Sequence, residues 1–264
     1  MSIDFERRFS GVRRLYGDAN FAKLQAAHVV VVGIGGVGSW TAEVIARNAV
    51  GRITLVDLDN IAESNFNRQL HAIEGNVGKP KVTAMRERIE AINPTCCVRE
   101  IEDFITPENV VQLLDFVKDG TVGCIVDCID DAKAKASLAA FCAQTMTPLI
   151  ISGGAGGRLD PTRIRVADLA KVEGDKLLAK VRNLLRKAHS FPQGHSTLKK
   201  SPEFGISCVY SDEPVMQPLD KACAVDTAIT GLNCAGYGSA VSVTASFGML
   251  AAQLALNRLL KSPV

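Results

Sequence analysis

The chain has 264 residues, 47% of them hydrophobic, and carries 30 Lys+Arg against 28 Asp+Glu, a formal charge of +2 at pH 7. That apolar content excludes intrinsic disorder as the main description, and the near-balance of charge excludes a protein that blankets nucleic acid over its whole surface. A chain of this length buries roughly 70–75% of its unfolded surface, so it needs neither disulfide nor metal staple.

Residues 1–27 pattern as an amphipathic helical arm ending at Ala27. His28 and four valines then read as a buried strand running into the glycine turn GIGGVG, with a helix from Ser39 to Asn48. RITLVDLD (52–59) reads as a second strand closed by acids, and Gly78 to Asn93 as a helix stopped by Pro94. CVREIEDF (97–104) is a third predicted strand, followed by a helix start with Thr106 as cap and Pro107 in the first turn. TVGCIVDCID (121–130) is a fourth strand, Asp131 to Thr145 a helix, and PLIIS (148–152) a fifth strand. After GGAGG (153–157), DPTRIRVADLAK predicts a further strand and residues 171–189 a basic helix. Residues 190–222, rich in Pro, Ser, Gly and Lys, read as a loop or crossover. Thr227 to Asn257 lacks any charge, yet Gly, Ser, Thr and Asn dilute it, so a packed internal helix returning over the sheet is expected rather than a membrane span. The alternation predicts an α/β, Rossmann-like, mainly parallel sheet with helices on both faces. The chain divides into a helical arm (1–27), a nucleotide-binding half (28–152) and a second half for substrate or dimer contacts (153–264), all within one domain.

Gly33, Gly35 and Gly38 form G-x-G-x-x-G with Gly36 as an extra glycine, after a strand and opening a helix. Such a turn brings backbone close to phosphate and aims a helix N-terminus at it. Asp57 stands where an acid accepts from ribose hydroxyls, with Asp59 beside it. Up to this point a nicotinamide dehydrogenase fits equally well. The run beyond Asp57 favours a triphosphate: Ser64, Asn65, Arg68 and Gln69 cluster past the sheet edge, and Lys81 opens the next helix. Arg offers a fork and Lys a point charge to phosphate oxygens, and hydride transfer has no use for both. The alternative is a solvated loop with ordinary surface cations. Asp127 and Asp130 end the fourth strand, with Asp131 adjacent, and paired acids near a triphosphate point to Mg²⁺. One of the two would otherwise cap the helix that follows.

GIGGVG, D-x-D-x(5)-N-x-x-R-Q, Lys81 within GKPK, and DCIDD together resemble the superfamily of ubiquitin-activating enzymes with its bacterial members ThiF and MoeB. That resemblance implies a carboxylate-adenylating enzyme using ATP and Mg²⁺, and a homodimer. It assigns Asp57 to the ribose, Asn65, Arg68 and Lys81 to the phosphates, and Asp130 to the metal and the adenylated group. RRFSGVRRLYG resembles the family's entry segment, whose Arg reaches the partner's site; Arg14 is the first choice and Arg8 the second. ThiF and MoeB types carry two C-x-x-C zinc pairs; none of the eight cysteines here forms one, so no zinc is expected. ISGGAGGRLDPTRIRVADLAK (151–171) and NCAGYGSAVSVTASFG (233–248) resemble one branch, the tRNA threonylcarbamoyladenosine dehydratases (TcdA, or CsdL). That branch implies a tRNA substrate and sulfur-relay partners of the CsdA/CsdE type. Activation of the C-terminus of a ubiquitin-like sulfur carrier is the alternative, and a non-catalytic scaffold for the relay is a further one.

Cys234 is the first candidate for a functional thiol, with Cys208 and Cys223 behind it; a small buried hydrophobe is the competing reading. Residues 171–200 hold eight Lys+Arg against two acids, which marks them for a tRNA backbone or for a solvated helix face. MSIDFERRFSG lacks the apolar run of a signal peptide, so a cytoplasmic protein with reduced thiols is expected.

Overall fold

The computed structural model describes residues 4–194, 202–216 and 237–261. Its frame is a seven-stranded sheet in the order β3-β2-β1-β4-β5-β7-β6. The strands are β1 His28–Val32, β2 Arg52–Val56, β3 Cys97–Ile101, β4 Cys124–Asp127, β5 Leu149–Ser152, β6 Ile164–Asp168 and β7 Ser207–Ser211. Six run parallel, and β6 lies antiparallel to β7. The strand order reverses between β1 and β4, which opens a crevice at their carboxyl ends, where ligands of such sheets bind.

The helices are α1 Phe5–Tyr16, α2 Asp18–Ala26, α3 Gly38–Arg47, α4 Lys81–Ile92, α5 Val110–Leu113, α6 Ala132–Thr145, α7 Lys176–Ala188 and α8 Val241–Lys261. β1 is buried along its whole length, which is why four valines follow one another in it rather than alternating with polar residues. Val29 and Val31 join one core with Ile45, Met85, Phe247 and Ala251, under α3, α4 and α8. Val30 and Val32 join the other with Leu138, Phe141, Leu178 and Leu185, under α6 and α7. Gly248 lets α8 touch α3: a Cβ there would lie 2.4 Å from the Val37 carbonyl. Thr41 Oγ1 then donates to the Gly248 carbonyl at 3.2 Å. By length and composition α8 passes as a membrane span, but more than half of it is packed inside the fold.

The structure shortens or divides several predicted elements. The N-terminal arm is two helices broken at Gly17, whose φ of 80° continues no helix. The second strand ends at Val56 because the Asp57 carboxylate caps the turn, and the third ends at Ile101. The fourth strand is Cys124–Asp127 alone. The helix predicted from Gly78 starts at Lys81, after Gly78 at φ 83° and Pro80. Thr106 Oγ1 does accept from the Glu108 and Asn109 amides, but it caps a turn, and α5 spans only four residues. Asp131, not Asp127 or Asp130, caps α6, accepting from the Lys133 and Ala134 amides. Within the predicted crossover 190–222 lies β7, a strand that completes the sheet. Its flanking Pro and Gly residues conceal a five-residue strand that only pairing with β5 and β6 stabilises.

Candidate nucleotide site

The glycine turn between β1 and α3 is forced by space at two positions. A Cβ on Gly38 would sit 1.8 Å from the Gly33 carbonyl oxygen, and one on Gly33 (φ 84°) 3.0 Å from the Cys128 carbonyl. The β1 and β4 turns therefore touch, which draws the glycine amides toward the turn that carries Asp130. Gly36 lies beneath Arg68, whose Cγ would be 3.2 Å from an added Cβ, and Gly35 faces the Gln69 amide.

Asp57 is buried at the end of β2. Its Oδ2 accepts from the Ile34 amide at 2.6 Å and its Oδ1 from the Asp59 amide at 2.9 Å. Lys81 is likewise buried; its Nζ donates to Asp59 Oδ2 at 2.6 Å and stands 3.9 Å from Asp57 Oδ1. Burial pushes the Asp57 carboxyl up, and the Lys81 ammonium and the two amides oppose that. An ionised carboxylate oxygen has two lone pairs, so Asp57 keeps acceptor capacity for a sugar hydroxyl.

Arg68 is anchored through its backbone, with Trp40 Nε1 donating to its carbonyl at 3.1 Å and Ser39 Oγ accepting from the Leu70 amide at 3.2 Å. Its Nη1 donates to the Ser64 carbonyl and to Asn67 Oδ1, both at 2.9 Å. Both contacts use the same Nη1 and are exposed. Asn65 Oδ1 accepts from the Ala62 amide at 3.1 Å and shapes the turn. Gln69 is buried with Oε1 unpartnered. His71 is buried with both ring nitrogens unpartnered, and burial pushes its pKa down to about 4. Sequence reasoning passed over His71, since a lone histidine in a loop carries no pattern.

Asp127 departs from the expectation. It is fully buried, and so is Lys135, whose Nζ donates to Asp127 Oδ1 at 2.9 Å. The ion pair faces the core, so Asp127 is withdrawn from the nucleotide edge. Asp130 stays exposed beyond β4, beside the α6 cap Asp131. Among the described residues no group of three or more His, Cys, Asp or Glu side chains could hold a metal ion by itself. One carboxylate with phosphate oxygens is nevertheless a donor set that suits Mg²⁺.

Arg8 is a structural group: its Nη1 donates to the Ala91 and Ile92 carbonyls, each at 3.0 Å, capping the end of α4. That end precedes β3 and lies at the amino edge of the sheet, opposite the crevice. Arg14 is exposed on α1. Cys208 is fully buried in β7 and its thiol is pushed upward by burial, which removes it as a reactive group. Cys223, Cys234 and residues 195–200 of the basic stretch lie outside the described residues. Within α7, Arg182 donates to the Leu169 and Val172 carbonyls and Arg186 to the Pro192 carbonyl, which leaves Lys176, Lys180 and Lys187 as the exposed cations.

The ThiF family matches residues 10–263. A tRNA threonylcarbamoyladenosine dehydratase of Haemophilus influenzae is 44% identical over 98% of this chain and 95% of its own length. The enzyme of that name in Escherichia coli is 42% identical over 98% and 96%. The crystal structure of the Escherichia coli dehydratase, TcdA, in complex with ATP superposes with a TM-score of 0.84 at 40% identity, over 98% of this chain and 96% of that one. A structure of PaaA, 19% identical with a TM-score of 0.60, shares the fold alone. With its glycine turn, buried Asp57–Lys81 pair and Arg68 gathered at one crevice, this chain belongs to the ThiF family.

Proposed function

We propose that this chain is an ATP-dependent tRNA threonylcarbamoyladenosine dehydratase, which cyclises N6-threonylcarbamoyladenosine next to the anticodon by adenylating the threonine carboxylate. The observation that carries the reading is the phosphate side of the crevice, Arg68 above Gly36 and Lys81 beside Asp57, in a chain aligned nearly end to end with relatives of that name. A carboxylate is a poor electrophile because its leaving group would be oxide. Attack on the α-phosphate releases pyrophosphate and turns that oxide into AMP. The carbamoyl group of the same side chain then attacks the acyl-adenylate and expels AMP, for a net loss of water. The second step is unimolecular, so holding the side chain in place does most of the work, and no enzyme nucleophile is needed.

The glycine turn and the α3 N-terminus cradle the phosphates, Asp57 takes the ribose, and Asn65 shapes the loop that presents Arg68 and Lys81. These cations meet charge that develops on the transferring phosphate, where one well-placed donor is worth about 10²–10³ in rate. Asp130 would hold Mg²⁺ together with phosphate oxygens, the ion supplying further charge neutralisation. Arg14, exposed on α1, fits a role in a partner's site in a homodimer. Lys176, Lys180 and Lys187 offer a face for the tRNA backbone. The protein is placed in the cytoplasm as one adenylating unit, open to sulfur-relay partners of the CsdA/CsdE type.

The test is incubation with ATP, Mg²⁺ and tRNA bearing the modified nucleoside, then mild digestion and mass spectrometry, with Arg68→Ala and Asp130→Ala alongside. Loss of one water with the wild type alone is the expected result. An unchanged nucleoside with ATP still bound would refute the tRNA reading and turn attention to a carrier protein.

A further inference from the structure

Asn67 uses its carboxamide at both ends. Oδ1 accepts from Arg68 Nη1 at 2.9 Å, and Nδ2 donates to the Ser239 carbonyl at 3.0 Å. The orientation follows from the partners, since a guanidinium only donates and a carbonyl only accepts. Ser239 belongs to the short stretch 237–240 that leads into α8. One residue earlier, the Gly238 carbonyl accepts from the Gly157 amide at 2.7 Å, and the Gly157 carbonyl accepts from the Met216 amide at 2.8 Å. Gly157 closes the glycine loop that follows β5. The other end of that loop is fixed as firmly: Asp175 Oδ2 accepts from the Gly154 amide at 2.9 Å and lies 3.4 Å from Arg158 Nη2. Arg158 and Asp175 are both buried, and Arg158 also donates to the Ser211 and Glu213 carbonyls. Hydrogen bonds on either side of the Gly238–Ser239 backbone therefore join Arg68, on the phosphate side, to the loop at the carboxyl end of β5.

β5 is the next strand beyond β4, whose following turn carries Asp130. The glycine loop therefore follows β5 at the same sheet edge as the Asp130 turn. Resting on the adenylation reading above, we infer that Asn67 is a positioning residue that sets the register between the nucleotide and the acceptor carboxylate by tying the Arg68 loop to the β5 loop through Ser239. Asn67 itself touches neither reactant. Its loss lets the two loops drift while each stays folded. Misplacement of about 1 Å costs about 10²-fold in rate, so kcat at saturating ATP should fall roughly 10–100-fold.

The test compares the wild type, Asn67→Ala and Asn67→Asp at saturating ATP with the modified tRNA, alongside ATP affinity and melting temperature. Alanine removes both contacts; aspartate keeps an acceptor for Arg68 but has no donor for Ser239. The expected result is a similar loss of kcat in both, with the melting temperature unchanged and ATP affinity of the alanine variant near wild type. Wild-type kcat in either variant would overturn the inference, as would a parallel fall of kcat, ATP affinity and melting temperature in the alanine variant. Failure of the wild type itself to release cyclised nucleoside would instead overturn the adenylation reading and this inference with it.

Discussion

Lys135→Met is the substitution whose outcome follows most directly from the geometry. Lys135 and Asp127 are both without solvent exposure and are joined at 2.9 Å. Methionine preserves the volume of the lysine stem and removes the charge, which leaves Asp127 buried and unpaired. Breaking a buried pair in this way costs about 3–5 kcal/mol. For a chain of this length each kcal/mol lowers the melting temperature by about 2–4 °C, so a loss of roughly 6–20 °C is expected in a thermal scan. Adding Asp127→Asn should recover most of it, because the side-chain carbonyl still accepts from the Ile129 amide, which Asp127 Oδ1 meets at 2.9 Å in the native chain. The folded double variant should bind ATP with Mg²⁺ within about threefold of wild type, a difference under 1 kcal/mol. A well-folded double variant with ATP affinity lost by tenfold or more would refute the placement of Asp127 outside the nucleotide site. A single variant as stable as the wild type would refute the buried-pair argument.

Gly38→Ala should abolish ATP binding and destabilise the fold, since its Cβ would overlap the Gly33 carbonyl, whereas Gly35→Ala, whose nearest neighbour is 3.9 Å away, should melt close to wild type; circular dichroism and ATP titration read both. His71, held near pKa 4 by burial against 6.5 when unfolded, contributes stability that is complete above pH 6.5 and is lost as the pH falls toward 4. His71→Leu should therefore narrow the gap in urea-measured stability between pH 7 and pH 5 by about 2 kcal/mol, and an unchanged gap would show the ring to be hydrated. Under native conditions iodoacetamide should label the exposed Cys97 well before Cys208, Cys124 or Cys142, and rapid labelling of Cys208 would contradict its place inside the sheet.

The sequence by itself determined what is local. A valine run ending in G-x-G-x-x-G has few conformations open to it, and β1, the turn and α3 appear where the pattern puts them. The polar residues of the Asp57–Lys81 stretch were legible for the same reason, because phosphate chemistry selects residue types that stand close in sequence. The tertiary structure decided whatever depends on a partner distant in the chain. β7 exists because β5 and β6 flank it, not because SCVYS insists on a strand. Asp127 and Asp130 look alike in the sequence, yet helix α6 delivers Lys135 beneath one of them and so divides a buried ion pair from an exposed acid. Arg8 and Arg14 were likewise separable only once α1 had packed: both stay exposed, but Arg8 alone reaches the carbonyls that end α4. His71 and Asn67 carry no motif at all. Their significance comes from burial and from hydrogen bonds that cross between loops far apart in sequence, and no spacing rule encodes those.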